Sequence, residues 1–100
     1  MIYRVFANES EKDQVSAWLD RDAGYPTKNT AHAVTFFAHP TSGKWACICD
    51  EWYYHHHTQT KVCVEERLAS GDCPSELPRG KVYSRAQLEN WNWFPEIADV

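Results

Sequence analysis

Apolar side chains alternate with polar or small ones from Ile2 to Ala7, in a run rich in β-branched and aromatic types, and this predicts a strand. The period changes directly afterwards. Asn8 with Glu11, or Ser10 with the weaker Asp13, can form a capping box in which each side chain satisfies a backbone N–H that would otherwise lack a partner. Val15, Trp18 and Leu19 then fall on one helical face with Ala23 close by, and Gly24 followed by Tyr25-Pro26 supplies a stop. The helix is expected over about residues 10–22.

Tyr25 to Thr30 has the composition of an exposed loop. Ala33 to Ala38 and Lys44 to Asp50 read as strands separated by His39-Pro40-Thr41-Ser42-Gly43, so a hairpin with a glycine-containing loop is the economical reading. Trp45, Cys47 and Cys49 share one face of the second strand, Ala46 and Ile48 the other. Such a strand belongs to a sheet covered on both sides, or has its second face buried by a partner. Glu51 to His57 is aromatic and histidine-rich and is expected to extend this sheet. Residues 58–71 are ambiguous: Thr60 to Val64 favours a strand, whereas Val64, Leu68 and the stop at Gly71 favour a helix, placed here over the second half only.

Asp72 to Gly80, with Pro74 and Pro78, reads as loop. Lys81-Val82-Tyr83 suits a short strand, and Ser84-Arg85-Ala86-Gln87 is a capping box that starts a helix with Leu88 and Trp91 on its apolar side. Pro95 bars that helix from continuing past Phe94. The expected fold is α+β, a single domain over 1–100 in which a small antiparallel sheet packs with two helices. Its order is strand, helix, β-hairpin, mixed segment, short strand and C-terminal helix.

The composition, 43% apolar and 24% charged, is that of an ordinary globular chain rather than a disordered one. A net charge of −4, with no Lys/Arg run longer than one residue, argues against a duplex phosphate backbone as partner. The N-terminal Met1 to Phe6 is interrupted by Arg4, Asn8 and Glu9 too soon for a secretory signal, and no apolar stretch approaches membrane-spanning length. These features predict a cytoplasmic protein with no membrane partner, whose four cysteines are thiols.

Candidate chemistry is sparse. Cys47-x-Cys49 with His55 and His57 places zinc-type ligands on single strand faces, but Cys63 and Cys73 are too far apart for a second knuckle, so buried thiols and a solvated or stacked histidine tract are the preferred reading. No signature fixes a Cys or Ser beside His32, His39 or His55 as a nucleophile, and no glycine-rich loop cradles phosphate. No cofactor and no catalysis are expected. Base stacking on Trp45, Trp52, Tyr53 or Tyr54 is opposed by the negative charge.

Aromatic excess remains: five Trp and five Tyr in 100 residues. Tyr3, Phe6, Trp18, Phe36 and Trp45 suffice for a core of this size. Trp52, Tyr53 and Tyr54, and Trp91, Trp93 and Phe94, are therefore expected to include a contact surface, because Trp and Tyr dominate interface hot spots. The runs Gly24-Tyr25-Pro26, His39 to Ala46 and Tyr83 to Glu89 with Trp93-Phe94 resemble small uncharacterised proteins of tailed bacteriophages. The resemblance implies a viral accessory or virion protein acting by contact in the host cytoplasm. The expected function is a non-catalytic protein-binding module, an inhibitor or adaptor for a host or viral protein. A virion or tail component forming a homo-oligomer, and a small zinc-binding domain, are the alternatives.

Overall fold

The computed structural model describes residues 1–22, 34–50, 52–55 and 60–94, with backbone alone at 22 and 53–55. Strand β1 (Ile2–Phe6) runs inside a four-stranded antiparallel sheet. One neighbour is β3 (Trp45–Ile48), with β2 (Phe36–Ala38) beyond it, and the other is β6 (Lys81–Ser84) at the opposite edge. Phe6 pairs with Trp45 and Tyr3 with Ile48, while Val5 pairs with Lys81 and Tyr3 with Tyr83. The expected hairpin is present as β2 and β3, in the register Phe36 to Cys47 and Ala38 to Trp45.

Helix α1 (Glu9–Asp22) begins one residue before the expected start. Asn8 Oδ1 accepts from the Glu11 N–H at 2.9 Å, and Glu11 Oε1 accepts from the Ala7 N–H at 3.2 Å. This is the foreseen capping box with its return arm displaced by one residue. The buried Val15, Trp18 and Leu19 then lie against one face of the sheet, beside Phe6, Cys47 and Cys49.

Alternation along the strands sends side chains to both faces. Ile2, Phe6, Phe36, Cys47 and Cys49 join the cluster beneath α1, while Tyr3, Val5, Phe37, Ala46 and Ile48 join a second cluster on the reverse face. Val64 and Leu68 of α2 (Val64–Ala69) complete the first cover, and Leu88 of α3 (Arg85–Asn90) with Trp93 forms the second. The apolar character of both β3 faces follows from helices on both sides, so the chain itself supplies the second cover.

One strand departs from expectation. Residues 52–55 do not extend the main sheet: β4 (Trp52–His55) pairs with β5 (Thr60–Cys63) in a separate two-stranded sheet. The ladder ends because the Cys49 carbonyl is taken by the Glu65 N–H at 2.9 Å, at the start of α2, while the Cys49 N–H donates to Ile2 O at 3.1 Å. Residues 58–71 contain both disputed elements, with strand first and helix second; residues 58 and 59 lie outside the described set, as does the loop expected at 25–30. No described helix is long and apolar enough to cross a membrane.

Gly80 sets the entry to β6. Its φ is +63°, and a Cβ there would run into the Val5 carbonyl oxygen and crowd the Phe6 ring. Only glycine lets the chain come this close to β1 in this conformation.

Candidate docking site

The aromatic segment after α3 is placed by how that helix starts and stops. Ser84 Oγ accepts from the Gln87 N–H at 3.2 Å and Gln87 Oε1 accepts from the Ser84 N–H at 2.8 Å, a complete capping box. The helix ends at Asn90, well before Pro95 requires it. Asn92 takes the left-handed conformation (φ 60°), its N–H donates to Glu89 O at 3.2 Å, and the Trp93 N–H donates to Leu88 O at 3.1 Å. These two bonds make a Schellman stop with asparagine in the usual glycine position, and such stops bring the residue after the left-handed one onto the helix's own apolar face. Leu88 and Trp93 accordingly share the second core cluster.

Trp93 is thus a core residue, only 3% exposed, and this corrects the expectation that it presents a contact surface. Its ring stands edge-on to Phe37 (centroids 5.7 Å) and to His39 (4.9 Å). Phe94 is half-buried against Tyr3 and Phe37, with the Arg85 guanidinium 4.1 Å above its ring. Arg85 Nη1 donates to the Tyr3 hydroxyl at 3.0 Å and Nε to Glu89 at 3.2 Å, and these acceptors, Tyr3 foremost, push its pKa further above the ordinary guanidinium value. Trp91 is also half-buried. Trp52 is 59% exposed on β4, at the end of the sheet where β3 leaves and away from the Trp91 segment. The Tyr53, Tyr54 and His55 side chains lie outside the described residues, and so does His57.

His39 fixes Trp91. The imidazole, 8% exposed, accepts at Nδ1 from the Thr41 N–H (3.2 Å) and the Ser42 N–H (3.1 Å), so its proton sits on Nε2 and is donated to the Trp91 carbonyl at 2.8 Å. One side chain therefore closes the β2–β3 loop and ties it to the end of α3. Both ring nitrogens are committed to backbone.

Between that tie and the β6 edge lies a groove of about 350 Å³ lined chiefly by Val5, Lys44, Gly80, Lys81, Tyr83 and Trp91. Tyr83 and Trp91 meet edge to face at 5.4 Å, and Lys44 Nζ sits 5.9 Å from the Trp91 ring. Glu11 also reaches the groove, but Oε1 is engaged by the Ala7 N–H. No carboxylate pairs with Lys44 or Lys81 among the described residues. Of the expected contact residues whose side chains are described, only Trp91 lines this groove. Lys44, Lys81 and Tyr83 had no local signal, because register and a loop bond bring them together.

The candidate metal ligands Cys47 and Cys49 point into the first core cluster. Burial pushes the Cys47 thiol up to about 12, helped by its neighbour Cys49 and opposed by Arg4; burial likewise raises Cys49 and Cys63. Among the described residues no group of three or more His, Cys, Asp or Glu side chains is disposed to hold a metal ion. No family model, curated protein or solved structure matches the chain.

Proposed function

We propose that this protein is a non-catalytic binding module, an inhibitor or adaptor that acts by docking on another protein through the groove beside Trp91. The observation that carries the reading is the pairing of two half-buried aromatic rings, Tyr83 and Trp91, with the ammonium groups of Lys44 and Lys81, which have no carboxylate partner among the described residues, on a preset framework. The His39 tie and the Schellman stop hold Trp91 in place before any partner arrives, which lowers the ordering cost of association. Among the described residues, His39 is committed to backbone at both nitrogens, and Cys47 and Cys49 are buried. The bacteriophage resemblance points to a host or viral protein as partner.

Native mass spectrometry of the untagged protein purified gently from its host tests this reading. A complex with a second protein that is lost from Trp91→Ala is expected. A homo-oligomer unaffected by Trp91→Ala would instead favour a self-assembling virion component, for which the exposed Trp52 is the specific observation. One zinc per chain would favour the metal-binding alternative.

A further inference from the structure

The tie that places Trp91 is made by a side chain able to change its charge. Pro40 follows His39 and has no N–H, so Thr41 and Ser42 carry the first backbone donors of the β2–β3 loop. Both reach the imidazole Nδ1, at 3.2 and 3.1 Å, in the manner of an Asx turn. Gly43, with φ +80°, then turns the chain back to Lys44, whose carbonyl accepts from the His39 N–H at 2.8 Å. The loop is thus folded around its own histidine, while the Nε2–H holds the Trp91 carbonyl at 2.8 Å.

Resting on the docking function above, because this loop delivers Lys44 to the groove, we propose that His39 is a pH-sensitive latch: a proton on Nδ1 releases residues 40–43 and leaves the ring bonded to Trp91. The direction follows from the hydrogen-bond chemistry of imidazole. The neutral ring has one acceptor and one donor, and both are used here; imidazolium has two donors and no acceptor. A proton on Nδ1 therefore confronts the Thr41 and Ser42 N–H groups with a third N–H, and both bonds must break. Thr41 and Ser42 are exposed, so their freed N–H groups pass to water. The bond from Nε2 keeps its polarity and becomes charge-assisted, and the Trp93 ring, 4.9 Å away, lies within range of a cation–π attraction. Proton and latch exclude each other, so the latch is closed at neutral and alkaline pH and opens as the pH falls.

No charged side chain competes for the ring among the described residues, since its bonds are to backbone alone. On its own loop the charged group is Lys44, whose ammonium lies by Trp91. On the side of α3, Arg85 is bonded to Glu89 and to Tyr3. Glu11, Lys81 and Tyr83 line the groove beyond Trp91, and Glu11 accepts from the Ala7 N–H.

The test is nuclear magnetic resonance of the isotope-labelled full chain from about pH 8 to about pH 5, the span in which histidine changes charge. At the upper end the His39 ring nitrogens should show the Nε2–H tautomer. On acidification the ring and the Thr41 and Ser42 amides should titrate together. Hydrogen-exchange protection of those two amides should fall at least about fivefold, the equivalent of about one ordinary hydrogen bond, while the Trp93 amide, bonded to Leu88 O, keeps its protection. His39→Asn retains an acceptor for the loop that cannot take up a proton, so its Thr41 and Ser42 amides should ignore the same pH range. The wild-type measurements need no variant, so a folding defect in His39→Asn leaves the test intact. An Nδ1–H tautomer, a ring that stays neutral throughout, or a ring that protonates with Thr41 and Ser42 protection unchanged overturns the proposal. Shifts at those amides that persist in His39→Asn belong to another histidine and overturn it too. If the latch opens as described while no native complex depends on Trp91, the docking function falls and the latch stands. If Trp91→Ala abolishes a native complex while the loop bonds ignore pH, the latch falls and the docking function stands.

Discussion

Replacing Trp93 separates a core role from a surface role more sharply than any other single change. The ring is 3% exposed and packs edge-on against Phe37 and His39, in the cluster that also holds Tyr3, Val5, Ala46 and Leu88. Truncating a buried Trp to Ala costs about 3–5 kcal/mol, a large share of the roughly 5–15 kcal/mol that holds a domain of this size together. At about 4–8 °C per kcal/mol, Trp93→Ala should lower the melting temperature by at least about 12 °C. Trp93→Phe should cost much less. The indole Nε1 is buried without a hydrogen-bond partner among the described residues, so removing it relieves a penalty of about 1–3 kcal/mol that partly offsets the smaller ring's lost contacts. Urea unfolding of the three proteins, followed by far-ultraviolet circular dichroism, measures both differences. A Trp93→Ala loss below about 1 kcal/mol would return the ring to the surface, and a Phe variant as unstable as the Ala variant would refute the unpartnered N–H argument.

Gly80→Ala combines a left-handed residue, costing about 1–2 kcal/mol, with the encounter between the new Cβ and the Val5 carbonyl, so chemical denaturation should show a total loss of at least about 2 kcal/mol. At the Schellman stop, Asn92→Gly should be neutral or stabilising while Asn92→Val should cost about 1–2 kcal/mol in the same assay; equal stability of the two would argue against the left-handed residue as the device that turns Trp93 inward. For Cys47 the folded thiol titrates near 12 against an ordinary 9.0. Between about pH 9 and pH 12 the folded chain therefore keeps a proton that the unfolded chain has lost, and stability falls with rising pH by about 1.4 kcal/mol per unit. Cys47→Ala lacks this term, so the stability difference between wild type and variant should shift by that slope above pH 9; a constant difference would mean that the thiol is not buried as described.

Much of the fold was legible because its signals are local. Asn8 with Glu11 and Ser84 with Gln87 cap helices from three residues away, and the β2–β3 hairpin is announced by the turn between its strands. The two-sided apolar pattern of β3 left open whether the chain or a partner covers its second face, and the chain's own helices do the covering. The orientation of Trp93 was locally encoded as well, in Leu88, Asn92 and Trp93 at Schellman spacing, but the hard stop at Pro95 drew attention to the wrong end of the segment. Non-local choices could not be read. The pairing of β4 with β5 rather than with the main sheet depends on α2 taking the Cys49 carbonyl, and the groove depends on a bond between His39 and Trp91, 52 residues apart. Lys44, Lys81 and Tyr83 looked like ordinary loop and strand residues until register placed them around one space.

A photo-crosslinking amino acid placed at Tyr83, on the groove side of β6, and compared in the host with the same group at Ser75 and at Trp52, tests the docking surface most directly. One dominant crosslinked protein from Tyr83, absent from Ser75 and reduced by Lys44→Glu with Lys81→Glu, is the expected result. Crosslinks from Trp52 with none from Tyr83 would contradict it and move the contact surface to the β4–β5 sheet.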